Sequence, residues 1–139
     1  DGTDVGNKRP DVLLFPEEGK CIILEFKAPK VKVDKHLDQI TQYATIIHAL
    51  SSDKYPFHSF YGYLIGENKD IYSIIDKDGD FRYSKALGYV FRNHKRLADP
   101  LHRGEASLYM EIIRYSDLLR RAQLRNKIYT DKILNKTNQ

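Results

Sequence analysis

Two short β-rich runs on either side of a turn, between residues 11 and 27, constrain the fold of this chain more than any other feature. Residues 11–15 (DVLLF) and 21–27 (CIILEFK) are rich in the aliphatic and aromatic side chains that strands favour. Residues 16–19 (PEEG) between them have the Pro and Gly that are typical of a turn. Because the connection is short, we expect the two runs to pair as a β-hairpin.

An amphipathic helix is predicted after the hairpin. It starts at Asp34, a residue type that favours the N-cap position, and runs to about Leu50. The apolar positions that recur at helical spacing are Leu37, Ile40, Ala44 and Ile47. Such a stripe is typical of a helix that packs one side against a hydrophobic core.

The rest of the chain is predicted to form further strands and a long helix. Residues 57–65 and 71–75 are β-rich, residues 76–80 form a turn, and a last short strand starts at residues 81–83. From about residue 105 to 133 we expect one long helix, or two abutting helices, packed against the sheet or a neighbouring domain. Its stripe is Leu108, Ile112, Tyr115, Leu119, Ala122, Asn126, Tyr129 and Ile133. The element order indicates a mixed α/β domain of about two layers.

Composition places the chain among globular proteins. Its 139 residues fit a single domain, and 41% hydrophobic with 30% charged residues argues against general disorder. No run is long enough for a membrane helix and no signal peptide opens the chain, so we predict no membrane partner. The single cysteine, Cys21, excludes an internal disulfide and a thiolate zinc site. We interpret Cys21 as a core residue and predict a reducing, cytoplasmic setting.

The positive charge is concentrated near the C-terminus. The net charge is +4, and residues 103–136 hold eight Lys and Arg against four Asp and Glu. The first 102 residues are balanced, so the whole excess lies in the last quarter. Such a concentration favours a polyanionic partner, although a solvated helix face explains it equally well.

The second run of the hairpin contains an unusual pair of charges. Alternation along a strand puts Glu25 and Lys27 side by side on one face, and Asp11 starts the adjacent run. Two acids and a lysine at one place suit phosphodiester hydrolysis, because Mg²⁺ prefers oxygen ligands and a cation stabilises the reacting phosphate. The backbone carbonyl of Phe26 is a candidate third metal ligand. An E-x-K triplet alone is more often a solvent-facing strand end.

The predicted helix adds a second set of polar residues. His36, Gln39 and Tyr43 are three and four residues apart, so they follow one line along the helix, beside the apolar stripe. An amide at Gln39 can bind a phosphate, a metal-bound water or a base edge, and a ring at Tyr43 can position the backbone or stack on a base. Taken alone, Tyr43 as a core residue and Gln39 as a surface residue is an equal alternative.

In this order the motifs resemble the PD-(D/E)XK nuclease superfamily. The matching residues are Pro10-Asp11, Glu25-Phe26-Lys27 and the Gln39-x-x-x-Tyr43 pair, between residues 9 and 43. The last pair is similar to the RecB-like and lambda-exonuclease-like branch. The resemblance implies a restriction-endonuclease-like mixed sheet flanked by helices, with core order α-β-β-β-α-β. It implies Mg²⁺ or Mn²⁺ on Asp11 and Glu25, and Lys27 as the catalytic lysine. His36, Gln39 and Tyr43 would then face DNA.

One helix of that family has no counterpart among the residues before Asp11. The family usually has a helix before the first motif strand, but only ten residues precede Asp11. We therefore expect residues 1–139 to be a fragment that forms a single nuclease-like domain, whose first helix is absent or lies upstream. Residues 115–127 resemble the C-terminal helix of nuclease-like domains appended to GHKL-type ATPases, which implies an upstream ATPase domain as a partner.

The sequence thus predicts a Mg²⁺-dependent deoxyribonuclease, with Arg120, Arg121 and Arg125 contacting DNA phosphates. A catalytically degenerate module that binds DNA or docks to the ATPase is the alternative. A purely structural or protein-interaction domain ranks third, on the strength of the long apolar stripe.

Overall fold

The computed structural model describes residues 9–27, 34–66, 73–86 and 88–137. They form six strands and three α-helices, with a 3₁₀ turn at Pro16–Glu18 inside the first hairpin. In chain order these are β1 (Asp11–Phe15), β2 (Lys20–Phe26), α1 (Asp34–Leu50), β3 (Ser59–Gly66), α2 (Ser73–Lys77), β4 (Arg82–Ser84), β5 (Tyr89–Arg96), β6 (Ser107–Arg114) and α3 (Tyr115–Thr137).

All six strands belong to one mixed sheet in the order β1-β2-β3-β6-β5-β4. Strands β2, β3 and β6 at its centre are parallel, and β1, β5 and β4 pair with their neighbours in the antiparallel direction. The three parallel strands therefore end at one side of the sheet, which we call the carboxyl edge. The predicted mixed α/β fold with a long C-terminal helix is confirmed at this level.

The hairpin is present as predicted. Its turn ends at Gly19, whose φ of 65° is a left-handed conformation that glycine adopts at little cost. The Gly19 amide donates to the Pro16 carbonyl at 3.2 Å, and its carbonyl accepts from the amides of His58 (3.0 Å) and Ser59 (3.1 Å). The turn therefore also fixes the start of β3 against β2.

Side chains alternate between a buried and a more open face of the sheet. The buried face, here called the helix face, carries the core residues Cys21, Ile23, Phe60, Leu64, Leu108, Met110 and Ile112. Helices α1 and α2 contribute Ile40, Ala44 and Ile74 to the same core. The other face, here called the open face, carries the half-buried residues Ile22, Leu24, Tyr61, Tyr63, Tyr109 and Glu111.

Helix α1 has the predicted boundaries and runs against the direction of the parallel strands. Its middle lies on β3, where a Cβ on Gly62 would be 2.6 Å from the Ile40 Cγ2, so this contact requires glycine. Its last turn places His48 against Phe57, just before β3 begins. The first turn of α1 therefore lies towards the carboxyl edge.

The predicted long helix from about residue 105 is wrong in its first third. Residues Ser107–Arg114 form β6, and the helix begins only at Tyr115. Leu108 and Ile112 fit both a helical stripe and a strand, but the buried Met110 between them gives the strand its period of two. Only the first turns of the helix pack on the sheet, through Tyr115 and Arg121, and residues 122–136 are all exposed.

Two further predictions need correction. The run at residues 71–75 was expected to be a strand, but the described part forms α2, in which Ile74 packs on the core and its carbonyl accepts from the Asp78 amide at 2.9 Å. Residues 71 and 72 lie outside the described residues. The third strand begins at Ser59 rather than residue 57, and the sequence did not single out β5. None of the described helices is long and apolar enough to cross a membrane.

Cys21 is fully buried, as the sequence predicted, and this makes its thiol a simple probe of unfolding. Burial raises its pKa to about 11, so little thiolate exists at neutral pH. We expect Cys21 in the native protein to react with a disulfide reagent such as DTNB at least ~100-fold more slowly than in the urea-unfolded chain. Comparable rates in the two states would contradict this burial.

Candidate active site

Glu25 and Lys27 form a nearly buried ion pair where β2 ends. The Lys27 Nζ lies 2.6 Å from the Glu25 Oε1, and their side chains are 15% and 3% exposed. The Lys27 amide donates to the Ile65 carbonyl at 2.8 Å, which continues the pairing with β3 beyond the last residue of the strand. Strand alternation and this extra hydrogen bond therefore bring the acid and the base together on the helix face.

One oxygen of the Glu25 carboxylate has no hydrogen-bond partner among the described residues. Oε2 is buried and unpartnered, while Oε1 contacts Lys27. Leaving a buried acceptor unsatisfied costs about 1–3 kcal/mol, and more when the group is charged. Native structures rarely keep such an atom without a water or a ligand. The free lone pairs of Oε2 are suited to a cation.

The ion pair lies at the carboxyl edge, at the boundary between β2 and β3. The register places Glu25 beside Leu64 of β3, and Leu64 beside Ile112 of β6. The ion pair is therefore next to the last residues of the three parallel strands. Ligands of open α/β sheets bind at the carboxyl ends of strands, because the chain leaves the sheet there and opens a crevice. The position of Glu25 and Lys27 fits that rule.

Asp11, the other predicted metal ligand, lies next to this site in the sheet but on the opposite face. It starts β1, is exposed, and pairs with Leu24, the neighbour of Glu25. Residues paired across an antiparallel ladder share a face, and successive residues alternate. Asp11 therefore belongs to the open face and Glu25 to the helix face. Its role as a ligand stays a prediction.

The polar residues of α1 follow the predicted line. The His36 Nδ1 lies 3.1 Å from the Gln39 Oε1, so their side chains are in hydrogen-bond contact. Gln39 is exposed, and the half-buried Tyr43 packs against the core. The structure thus brings these three residues together along the helix.

The orientation of α1 turns that line towards the hairpin. Thr41 lines a cavity with Met110, on the β6 side of the helix. Gln39 and Tyr43 are each two residues from Thr41, which is roughly half a turn around a helix of ~3.6 residues per turn. They therefore face the other side, towards β2 and β1. His36 and Gln39 also lie in the part of α1 nearest the carboxyl edge.

A network of charges fixes the start of α3 at the same edge. Asp117 is 3% exposed, and its carboxylate accepts hydrogen bonds from the Arg114 Nε (2.7 Å) and an Arg120 Nη (3.1 Å). Gly88, with φ of 70°, lies directly against this network, and a Cβ there would be 2.9 Å from the Arg120 Nη2. The network therefore packs α3 against the residues that lead into β5.

The three arginines predicted to contact DNA differ in their surroundings. Arg120 is 68% exposed while paired with Asp117, and Arg121 lies over the Tyr89 ring at 4.6 Å. Arg125 is exposed one turn further along α3. Arg120 and Arg121 therefore lie near the carboxyl edge, and Arg125 lies on the exposed part of the helix.

Two aromatic rings lie across the sheet from the ion pair, on the open face. Phe26 lies between Glu25 and Lys27 in sequence, is 49% exposed, and its ring centroid is 6.5 Å from that of Tyr115, with an angle of 24° between the planes. Tyr115 is 37% exposed and begins α3. The stacked pair therefore links the end of β2 to the start of α3.

The side chains and carbonyls near this site offer the oxygen ligands that a hard divalent cation prefers. The carboxylates of Asp11 and Glu25 and the carbonyl of Phe26 are oxygen donors, which Mg²⁺ and Mn²⁺ prefer. The unpartnered Oε2 of Glu25 fits such a role. Within the described ranges no three His, Cys, Asp or Glu side chains cluster, so a cation here would also take carbonyl and water ligands.

Sequence reasoning missed Asp117 and Tyr115 as residues that shape this edge. The spacing Arg114-x-x-Asp117-x-x-Arg120 is a signal for such a network, because residues three apart are neighbours on a helix. No protein-family model, curated protein or solved structure matches the chain.

Proposed function

We propose that this chain is a metal-dependent nuclease that hydrolyses DNA phosphodiester bonds, with a restriction-endonuclease-like fold. The observation that carries the proposal is the buried Glu25–Lys27 pair at the carboxyl edge, with one carboxylate oxygen left unpartnered. A buried acid and base are costly unless paired or bound to a metal, so their position favours a chemical role.

Each residue has a distinct part in this reaction. Glu25 and the Phe26 carbonyl would hold Mg²⁺ or Mn²⁺, with Asp11 as the further predicted ligand, and the bound metal would supply a Lewis acid and activate water. Lys27 places its charge beside the phosphate and stabilises the negative charge that develops there. Its 2.6 Å contact with Glu25 holds the ammonium group in place before substrate arrives.

The surrounding elements support a polyanionic substrate. His36, Gln39 and Tyr43 lie on the side of α1 that faces the hairpin, and Arg120 and Arg121 lie at the same edge. Cationic and amide side chains are the usual phosphate contacts of DNA-binding proteins.

The order of elements also supports the proposal. The described elements β1, β2, α1 and β3 follow one another as strand, strand, helix and strand. The family that the motifs resemble has the core order α-β-β-β-α-β. Its last four elements follow the same order as β1, β2, α1 and β3. The three motifs occupy the hairpin and the helix, as they do in that family.

The proposal is tested by incubating the protein with linear and circular DNA in the presence of Mg²⁺, Mn²⁺ or EDTA. We expect cleavage with either cation and none with EDTA. Cutting of circles would show an endonuclease, whereas cutting of linear DNA alone would show an exonuclease. Cleavage that persists in EDTA would exclude the metal-dependent mechanism.

A catalytically degenerate module is the second candidate, and one observation favours it. The register places Asp11 and Glu25 on opposite faces of the sheet, so the two carboxylates do not converge on one metal by strand geometry alone. Such a module would bind DNA, or would dock to an ATPase domain in the cytoplasm. Salt-dependent DNA binding without cleavage, in every metal tested, would favour this candidate over the nuclease.

A further inference from the structure

The open face of the sheet is bare over most of its area in the described part of the chain. Helices α1 and α2 pack on the helix face, and α3 reaches only the row of residues at the carboxyl edge. Parallel strands are normally covered on both faces, because their side chains are apolar in both directions. The central strands β2, β3 and β6 therefore present a surface that a further layer would cover.

This surface is apolar and aromatic, with carboxylates in one row. The Tyr61 ring centroid lies 5.2 Å from that of His94 and 6.1 Å from that of Tyr109. The Tyr109 hydroxyl donates to the Glu111 Oε1 at 2.7 Å. Burial, together with the Glu111 charge, raises the pKa of Tyr63 above its ordinary value. The surface thus combines stacked rings with a localised negative charge.

A second acid, Asp11, lies in the same row of paired residues as Glu111. Asp11 pairs with Leu24, Leu24 with Tyr63, and Tyr63 with Glu111, so the two acids lie in one register row across four strands. Asp11 is exposed and Glu111 is half-buried. The row ends at the exposed Arg82 on β4, so the negative charge lies between β1 and β6, and a partner for that part of the face should be apolar and should carry positive charge.

The exposed part of α3 has those properties. One side of the helix carries Tyr115, Leu119, Ala122, Asn126 and Tyr129, at alternating steps of four and three residues. Leu119 is 60% exposed and Tyr129 is 67% exposed. Residues 120–136 hold six basic residues and a single acid, Asp131. We call this side, from Leu119 to Tyr129, the α3 stripe.

The α3 stripe continues a contact that already exists with the sheet. Tyr115, on the same side of the helix just before the stripe, stacks its ring on Phe26 of the open face. Beyond residue 121 the same side of the helix points into solvent. Residues 122–136 form a helix of about 22 Å at 1.5 Å per residue, which is the width of roughly four to five strands. The exposed part of α3 thus matches the sheet in size.

We propose that the α3 stripe of one copy covers the open face of a second copy, so that the chain forms a symmetric dimer by reciprocal exchange of its C-terminal helices. Both surfaces are present once in each chain, so a two-fold exchange would make two identical contacts. Pairing of α3 with α3 is disfavoured, because Arg125 and Lys132 flank the stripe and would meet like charges in the partner. On the sheet, the carboxylate of Glu111 would instead offer them an opposite charge.

The first test compares two double variants of the same helix by analytical ultracentrifugation. Leu119→Asp with Tyr129→Asp places charge on the α3 stripe, and we expect the dissociation constant of the dimer to rise at least tenfold. Leu124→Asp with Ile128→Asp makes the same chemical change on the opposite side of α3, where both residues are exposed, and should leave the dimer intact. A monomeric wild-type chain, or equal effects of the two variants, would overturn the proposal.

The second test identifies which surfaces meet. Ile22→Cys places a thiol on the open face and Tyr129→Cys places one on the α3 stripe, while native Cys21 is buried. A short bismaleimide should link the two variants only when they are mixed and allowed to exchange. Linkage of Tyr129→Cys to itself would show helix pairing, and a dimer that gives no mixed product would equally exclude the exchange.

Discussion

Replacing Lys27 with alanine is expected to lower metal-dependent DNA cleavage by at least ~100-fold, because the residue that stabilises charge on the reacting phosphate is lost. Lys27 contacts Glu25 at 2.6 Å and is only 15% exposed, so no solvent cation can take its place in the same geometry. Initial rates on a linear duplex under saturating Mg²⁺ measure the effect.

The matched control for this variant is Lys20→Ala, at the other end of the same strand. Lys20 is 47% exposed and pairs with Glu18 at 3.3 Å, so its loss removes one charge from β2 without disturbing the carboxyl edge. Cleavage by this control should stay within about twofold, since exposed ion pairs contribute little. Undiminished cleavage by a folded Lys27→Ala protein would rule out the proposed role.

Glu25→Gln separates metal binding from catalysis. The amide keeps the size of the side chain but replaces one anionic oxygen, so Mn²⁺ binding measured by calorimetry should weaken at least ~10-fold. Circular dichroism must show a folded protein for this comparison. Unchanged Mn²⁺ affinity would mean that the unpartnered Oε2 is not a cation ligand.

Replacing His48 with alanine is expected to destabilise the fold by about 3 kcal/mol, because a buried group with polar contacts on both ring nitrogens is lost. His48 is 1% exposed. Its Nδ1 lies 2.7 Å from the Phe57 carbonyl and its Nε2 lies 3.0 Å from the Gly104 carbonyl. The ring thereby fastens the end of α1 to the start of β3 and to the loop before β6.

Asp99 contributes to the same junction. Its carboxylate lies 3.8 Å from the His48 Nε2 and accepts from the backbone amides of Arg103 (2.6 Å) and Gly104 (3.0 Å). Desolvation opposes ionisation of Asp99, but these hydrogen bonds and the nearby imidazole lower its pKa below the ordinary value. A negative charge therefore lies 3.8 Å from the His48 ring at neutral pH.

Urea unfolding at neutral pH measures the loss in His48→Ala, with His58→Ala as the control. His58 is exposed and contacts Ser59 at 3.2 Å, so its removal should change the free energy of unfolding by less than about 1 kcal/mol. Equal stabilities of the two variants would show that the buried contacts of His48 contribute no more than a surface histidine.

Local patterns predicted those parts of the fold whose partners are close in sequence. The hairpin follows from two β-rich runs around Gly19, and the boundaries of α1 follow from its stripe and from Asp34. The closeness of Glu25 and Lys27 also follows from the period of a strand, because no long-range contact is needed to place residues two apart on one face. This is the part of the candidate site that the sequence predicts.

Other features depend on which strands meet. Leu108 and Ile112 fit a helix by spacing, and only their pairing with β3 and β5 makes this segment a strand. The face on which Asp11 lies depends in the same way on the register between β1 and β2, since a shift of one residue would move it to the other side. The sequence on its own contains no signal for that register beyond the length of the turn.

By itself, then, the sequence determined the hairpin, the helix that follows it and the acid–base pair at the end of β2. Tertiary structure alone decided that Glu25 is buried with a free oxygen, that α3 begins at Tyr115 and extends into solvent, and that one face of the sheet is left open. The physical reason is the range of the interactions. Backbone propensity and side-chain alternation act within a few residues, whereas burial and strand register are set by residues far apart in the chain.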